Sequence, residues 1–200
     1  MNYTDEMLSL VKISGYGYKQ ELEALKEITE SKDAKDTLEI NGLNIKVNLH
    51  KQDVDIDASL KKYKQHSTHI NNLLNSTGDK LPDPNVIKDI ENISSSLKQM
   101  PSYKGTVYRY DDRVALPKVG ETINIKNFYS TASNKEDLDM IPYYTQRKTF
   151  YEIESKNGKK LKNNAQYRNE NEVLFDLDSK FIVVSASTKN GKNYIKMKEK

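Results

Sequence analysis

Residues Leu81 to Tyr110 read LPDPNVIKDIENISSSLKQMPSYKGTVYRY, and the texture changes partway through. Up to Met100, Val86, Ile87, Ile90, Ile93 and Leu97 fall on one face of a helix. Asp83 supplies an N-cap oxygen, and Pro84 takes the first helical position, where a missing N–H costs nothing. Beyond Pro101 the run GTVYRY is short, β-branched and aromatic, bounded by turn residues, and predicts a strand.

Upstream, Leu8, Val11, Tyr18, Leu22, Leu25 and Ile28 recur at helical spacing, with SGYGY (Ser14 to Tyr18) predicting a break between two helices. TLEINGLNIKVNL then alternates about Asn41-Gly42, the pattern of a hairpin over 37–49. Helical spacing returns across Leu60, Tyr63, Ile70, Leu73 and Leu74, with a restart at Ser67, and stops at Gly78. Downstream come TINIKNFYST, RKTFYEIES, NEVLFDL, KFIVVSAST and NYIKMK, all strand-like. Helices followed by strands give an α+β chain, read as a single domain over 1–200: mainly helical over 1–100 apart from the hairpin, strand-rich over 101–200.

Composition excludes several classes. Apolar residues at 36% and charged residues at 30% suit a foldable chain in which 13 Tyr and 4 Phe, without Trp, contribute to the core. The net charge of +3, with lysines scattered, does not predict a nucleic-acid partner. The absence of cysteine removes thiolate nucleophiles, disulfides and cysteine metal sites. His66 and His69 stand three apart without an accompanying carboxylate motif, so no metal site is expected. No apolar run reaches the roughly 18 residues of a membrane span, and MNYTDEMLSLVKIS has neither a basic nor an apolar signal region. Neither a Ser-His-Asp signature nor a glycine-rich phosphate loop is present.

Three stretches of the strand-rich half carry chemistry. Tyr108-Arg109 lies in TVYRYDD, Ser130-Thr131-Ala132 in NFYSTAS, and Glu170-Asn171-Glu172 in YRNENEVLF. In a continuous strand the two glutamates would share a face about 7 Å apart and repel each other. Glu-x-Glu alone is a common pattern, since Glu21/Glu23 and Glu152/Glu154 repeat it; the order and strand contexts of all three stretches carry the signal.

That set resembles the mono-ADP-ribosyltransferases of the arginine, serine, glutamate class, in particular the bacterial binary-toxin and exoenzyme group and related phage enzymes, over about Leu60 to Ser187. The resemblance implies N-terminal helices packed on two short, mostly antiparallel sheets flanking a cleft for nicotinamide adenine dinucleotide (NAD), the co-substrate. It implies that Glu172 stabilises the positive charge developing on the ribose, that Ser130 orients that carboxylate, and that Arg109 holds the diphosphate through its planar fork. Asn127, Arg147 and Tyr63 match further dinucleotide contacts. Glu170 and Tyr167 match the acceptor side, where Glu170 would accept hydrogen bonds from an arginine of a target protein and help take its proton. The chain departs from the family pattern at Ala132, Asn75 and Tyr110.

The resemblance also implies a delivery or translocation partner and a secreted or injected effector acting in a target-cell cytoplasm, or a phage enzyme acting in the bacterial cytoplasm. Two rival readings are an NAD glycohydrolase, in which water intercepts the sugar, and a catalytically inactive binding domain of a toxin.

Overall fold

The computed structural model describes residues 23, 33–76, 82–162 and 171–200. The helix-break-helix expected over the first thirty-odd residues lies outside them, save for Glu23. The chain divides into two compact units, Met1–Gln99 and Met100–Lys200.

In the first unit, β1 (Asp36–Ile40) and β2 (Leu43–Val47) form the expected antiparallel hairpin, in register from Ile40↔Leu43 to Asp36↔Val47. Its turn has positive φ at both Asn41 (54°) and Gly42 (75°). Such a two-residue turn follows the twist of the flanking strands and selects Asn-Gly. Helix α1 (Ile56–Leu74) runs without the restart expected at Ser67, capped by Asp55, whose Oδ1 accepts from the Ala58 amide at 2.9 Å. Helix α2 (Pro84–Gln99) starts as expected, with Asp83 Oδ1 accepting from the Asn85 amide at 2.8 Å, and Val86, Ile87, Ile90, Ile93 and Leu97 are buried. Glu91 is buried as well. It accepts from the Asn48 amide at 2.8 Å and pairs with Lys51 Nζ at 2.5 Å, which satisfies both of its oxygens.

The second unit is built on β3 (Gly105–Asp111), β4 (Thr122–Ile125), β5 (Tyr129–Ala132), β6 (Thr149–Ser155), β7 (Lys159–Lys160), β8 (Glu172–Phe175), β9 (Ser179–Lys189) and β10 (Lys192–Glu199), with short helices α3 (Lys135–Asp139) and α4 (Pro142–Thr145) between β5 and β6. The strands pair in the order β4-β9-β10-β6-β3-β5-β8-β7. Only β10 and β6 are parallel; the other pairings are antiparallel. The two sheets expected from the resemblance are therefore one ladder with a weak seam, because β3 and β5 meet at the single pair Tyr108↔Ala132.

TINIKNFYST, read as one strand, is two. β4 pairs with β9 at one end of the ladder and β5 with β8 near the other, so the chain must leave the sheet at Lys126 to Phe128 to cross between them. The core of the unit is Val107, Tyr129, Tyr151, Ile153, Val173, Phe175, Phe181, Ile195 and their neighbours. Gly158 is set against it: a Cβ there would lie 2.7 Å from Val173 Cγ1 and 2.8 Å from Ser155 Oγ. Close packing requires this glycine.

Candidate active site

Arg109 sits within β3, opposite Tyr151 of β6. Its Nε donates to Asp111 Oδ2 at 3.0 Å, and its Nη1 donates to the Ser130 carbonyl at 2.8 Å. Asp111 is two residues along the same strand and so shares its face. The guanidinium lies 4.6 Å from the centre of the Tyr129 ring. Burial raises the pKa of the Tyr129 hydroxyl, and the Arg109 charge offsets only part of that rise. The phenol therefore stays neutral beneath the cation.

Ser130 belongs to β5, where it pairs with Leu174, while Ala132 pairs with Glu172. Ser130 and Glu172 are thus diagonal neighbours on one face, and the Ser130 hydroxyl donates to Glu172 Oε1 at 2.7 Å. Ala132 has no side chain beyond Cβ to compete with that bond. Thr131 faces the opposite way and donates to the Val173 carbonyl at 2.7 Å, tying the two strands together from behind. The helix after β5 is capped by Asn134, whose Oδ1 accepts from the Glu136 amide at 3.3 Å, so neither Ser130 nor Thr131 is the N-cap.

The strand β8 begins at Glu172, and Asn171 has a φ of 45°. This left-handed residue stands immediately before the strand. Glu170 and Tyr167 lie outside the described residues.

Arg147 follows α4. Its Nη2 donates to the Tyr143 hydroxyl at 2.9 Å and its Nη1 to the Tyr110 carbonyl at 3.4 Å, with the guanidinium 4.7 Å from the Tyr143 ring centre. The Asp112 carboxylate is 3.8 Å from Nε, close enough for charge attraction and too far for a hydrogen bond. Asn127 is half-buried in the crossing between β4 and β5. Tyr63 is buried on α1 in the first unit. The structure thus brings Arg109, Ser130 and Glu172 together, with Arg147 in the same unit but bonded to other partners.

Further groups surround this cluster. Asp111 orients Arg109. The Tyr110 hydroxyl donates to Asp139 Oδ1 at 2.8 Å, and Lys135 pairs with the same carboxylate, which secures α3 to β3. Burial of Asp139 acts to raise its pKa, but the hydrogen bonds from Lys135 and Tyr110 outweigh it and hold the carboxyl below its ordinary value. Asparagine, as in Glu-Asn-Glu, tolerates left-handed backbone. A cavity of about 910 Å³ in the first unit is lined by residues including His50, Lys51, Asp53, Asp89 and Glu91, and not by Arg109, Ser130 or Glu172. Among the described residues no cluster of three or more potential metal ligands occurs, and no helix is long and apolar enough to cross a membrane.

A family model described as ADP-ribosyltransferase exoenzyme matches residues 44–200. Among solved structures, the C3 exoenzyme of Clostridium limosum is 15% identical with a TM-score of 0.57, covering 76% of this chain and 97% of that one. The ADP-ribosyltransferase Vis, in complex with agmatine, is 14% identical with a TM-score of 0.61, over 96% and 90% of the two chains. The type III effector XopAI of Xanthomonas axonopodis pv. citri is 14% identical with a TM-score of 0.60, over 99% and 87%. At these identities the structural likeness is one of fold. No curated protein sequence matches the chain.

Proposed function

The chain belongs to the ADP-ribosyltransferase exoenzyme family, and from that premise we propose that it transfers ADP-ribose from NAD to an arginine of a target protein, releasing nicotinamide. The observation that carries this reading is the relay from Arg109 Nη1 to the Ser130 carbonyl (2.8 Å) and from the Ser130 hydroxyl to Glu172 (2.7 Å). It joins three residues far apart in sequence through two charge-assisted hydrogen bonds. The two units are taken as parts of one catalytic domain, because the matched residues 44–200 run through both.

The residues present fit the dinucleotide. A guanidinium already braced by Asp111 binds diphosphate oxygens without having to be ordered first. A carboxylate fixed by a seryl hydroxyl places negative charge where the ribose becomes positive as the bond to nicotinamide breaks, and nicotinamide leaves with the bonding electron pair. An acceptor arginine nitrogen then bonds to the ribose carbon, and Glu170 takes the proton that nitrogen loses. Asn127, Arg147 and Tyr63 are assigned to the dinucleotide, and Tyr167 to the acceptor. Agmatine, the small molecule in the Vis complex, ends in a guanidinium like that of arginine, which supports an arginine acceptor. The type III effector among the structural neighbours supports action inside a target cell after delivery.

Labelled NAD incubated with a cell lysate tests the assignment. Glu172→Gln loses both protein labelling and NAD hydrolysis; Glu170→Gln loses labelling and keeps hydrolysis. Equal residual labelling in the two variants contradicts the division of roles.

A further inference from the structure

Glu172 is the first residue of β8, and its pairing with Ala132 is the last rung of the β5–β8 ladder. Strand ends fray, so the ladder alone is a weak hold on the carboxylate that the transferase reading makes catalytic. The preceding residue is held in a different way. The Asn171 carbonyl accepts from both the amide and the hydroxyl of Ser133, each at 3.0 Å. The Asn171 side-chain amide donates to Asp137 Oδ2 at 2.8 Å, within α3. All this occurs at a φ of 45°, which a residue other than glycine adopts at a cost and keeps only when its surroundings hold it there.

We infer that Ser133, Asn171 and Asp137 form a positioning clamp that fixes the backbone at the entrance to Glu172, so that its carboxylate meets the ribose in register. The Ser130 hydroxyl fixes the carboxylate end of the side chain, and the clamp fixes its backbone end. Two anchors define the direction of a flexible glutamate, where one would leave it free to swing. The clamp also explains how a chain with alanine at position 132 retains a hydroxyl in this corner: Ser133, one residue on, donates its hydroxyl to the Asn171 carbonyl. Asp137 and Ser133 touch none of the reacting atoms and act through Glu172. The inference rests on the transferase reading for its catalytic consequence, and on the hydrogen bonds alone for its positional one.

The test measures two quantities in the full chain: exchange of the Ser133 amide proton by NMR, and kcat and KM for NAD cleavage. Asp137→Ala is expected to speed Ser133 exchange by about fivefold or more. It lowers kcat roughly tenfold while KM for NAD stays within about twofold, because Arg109 is untouched. Asp137→Asn, which keeps an oxygen for the Asn171 amide, restores both, as does Ser133→Thr relative to Ser133→Ala. Unchanged exchange in Asp137→Ala overturns the clamp. So does a loss of kcat that Asp137→Asn fails to recover, or one accompanied by an equal rise in KM and a lower melting temperature. If the wild-type protein cleaves no NAD, the transferase reading falls, and exchange alone decides: a Ser133 amide unprotected in the wild type overturns the clamp, and a protected one that Asp137→Ala releases upholds its positional part.

Discussion

Ser130→Ala removes one oxygen from the relay and leaves the rest in place. The lost hydroxyl donates to Glu172 Oε1 at 2.7 Å, while the Ser130 carbonyl still accepts from Arg109 Nη1. A hydrogen bond to an ionised group contributes about 1.5 to 3 kcal/mol. Both residues are half-buried, so solvent replaces part of the interaction and about 2 kcal/mol is the working value. If that bond is needed only to hold the carboxylate against the positive ribose, the loss falls on the transition state, and 2 kcal/mol is roughly thirtyfold in kcat. KM should move less than about threefold, because Arg109, which we propose holds the diphosphate, keeps both of its partners. The assay is initial-rate release of nicotinamide across a range of NAD concentrations, with Ser130→Thr as the variant that keeps a hydroxyl. A kcat within twofold of wild type, or a rise in KM with kcat unchanged, refutes the reasoning.

Arg109→Lys keeps the charge but cannot donate to Asp111 and to the Ser130 carbonyl at once, so KM for NAD should rise roughly tenfold with a smaller change in kcat, read from the same rates. Gly158→Ala puts a methyl group 2.7 Å from Val173 Cγ1 and should destabilise the protein by about 1 to 3 kcal/mol, seen as a lower urea midpoint at unchanged slope. The depressed carboxyl of Asp139 contributes stability that is present above its unfolded pKa of about 3.9 and is lost as pH falls through the lower folded value. The gap in melting temperature between wild type and Asp139→Asn should therefore be widest near neutrality and narrow as pH drops below about 4.

What the sequence disclosed was local chemistry. Asn41-Gly42 can adopt the turn that joins β1 to β2, and Asp83-Pro84 can begin only one kind of element, so the hairpin and α2 follow from a few residues. The three motifs were legible because each has a distinctive neighbourhood. What alternation does not carry is pairing, which is a contact between residues far apart in the chain. TINIKNFYST alternates well enough to pass for one strand, yet Ile123 pairs with Phe181 and Tyr129 with Phe175, in different parts of the ladder. The single rung joining β3 to β5 is equally invisible, since it hangs on Ala132, the last residue of β5, reaching Tyr108 in the middle of β3. The left-handed backbone at Asn171 was not legible either, because asparagine is compatible with both left-handed and extended conformations. Asp139 finds its partner only through the fold, when α3 brings it beside Tyr110 of β3.

The measurement that bears most directly on the central claim is nicotinamide release from NAD by the purified protein, beside Glu172→Gln. That substitution keeps the shape and an oxygen for Ser130 while removing the negative charge. The account predicts steady release by the wild type and a loss of about a hundredfold or more in the variant. Release by Glu172→Gln at the wild-type rate, or none by a folded wild-type protein, would contradict it.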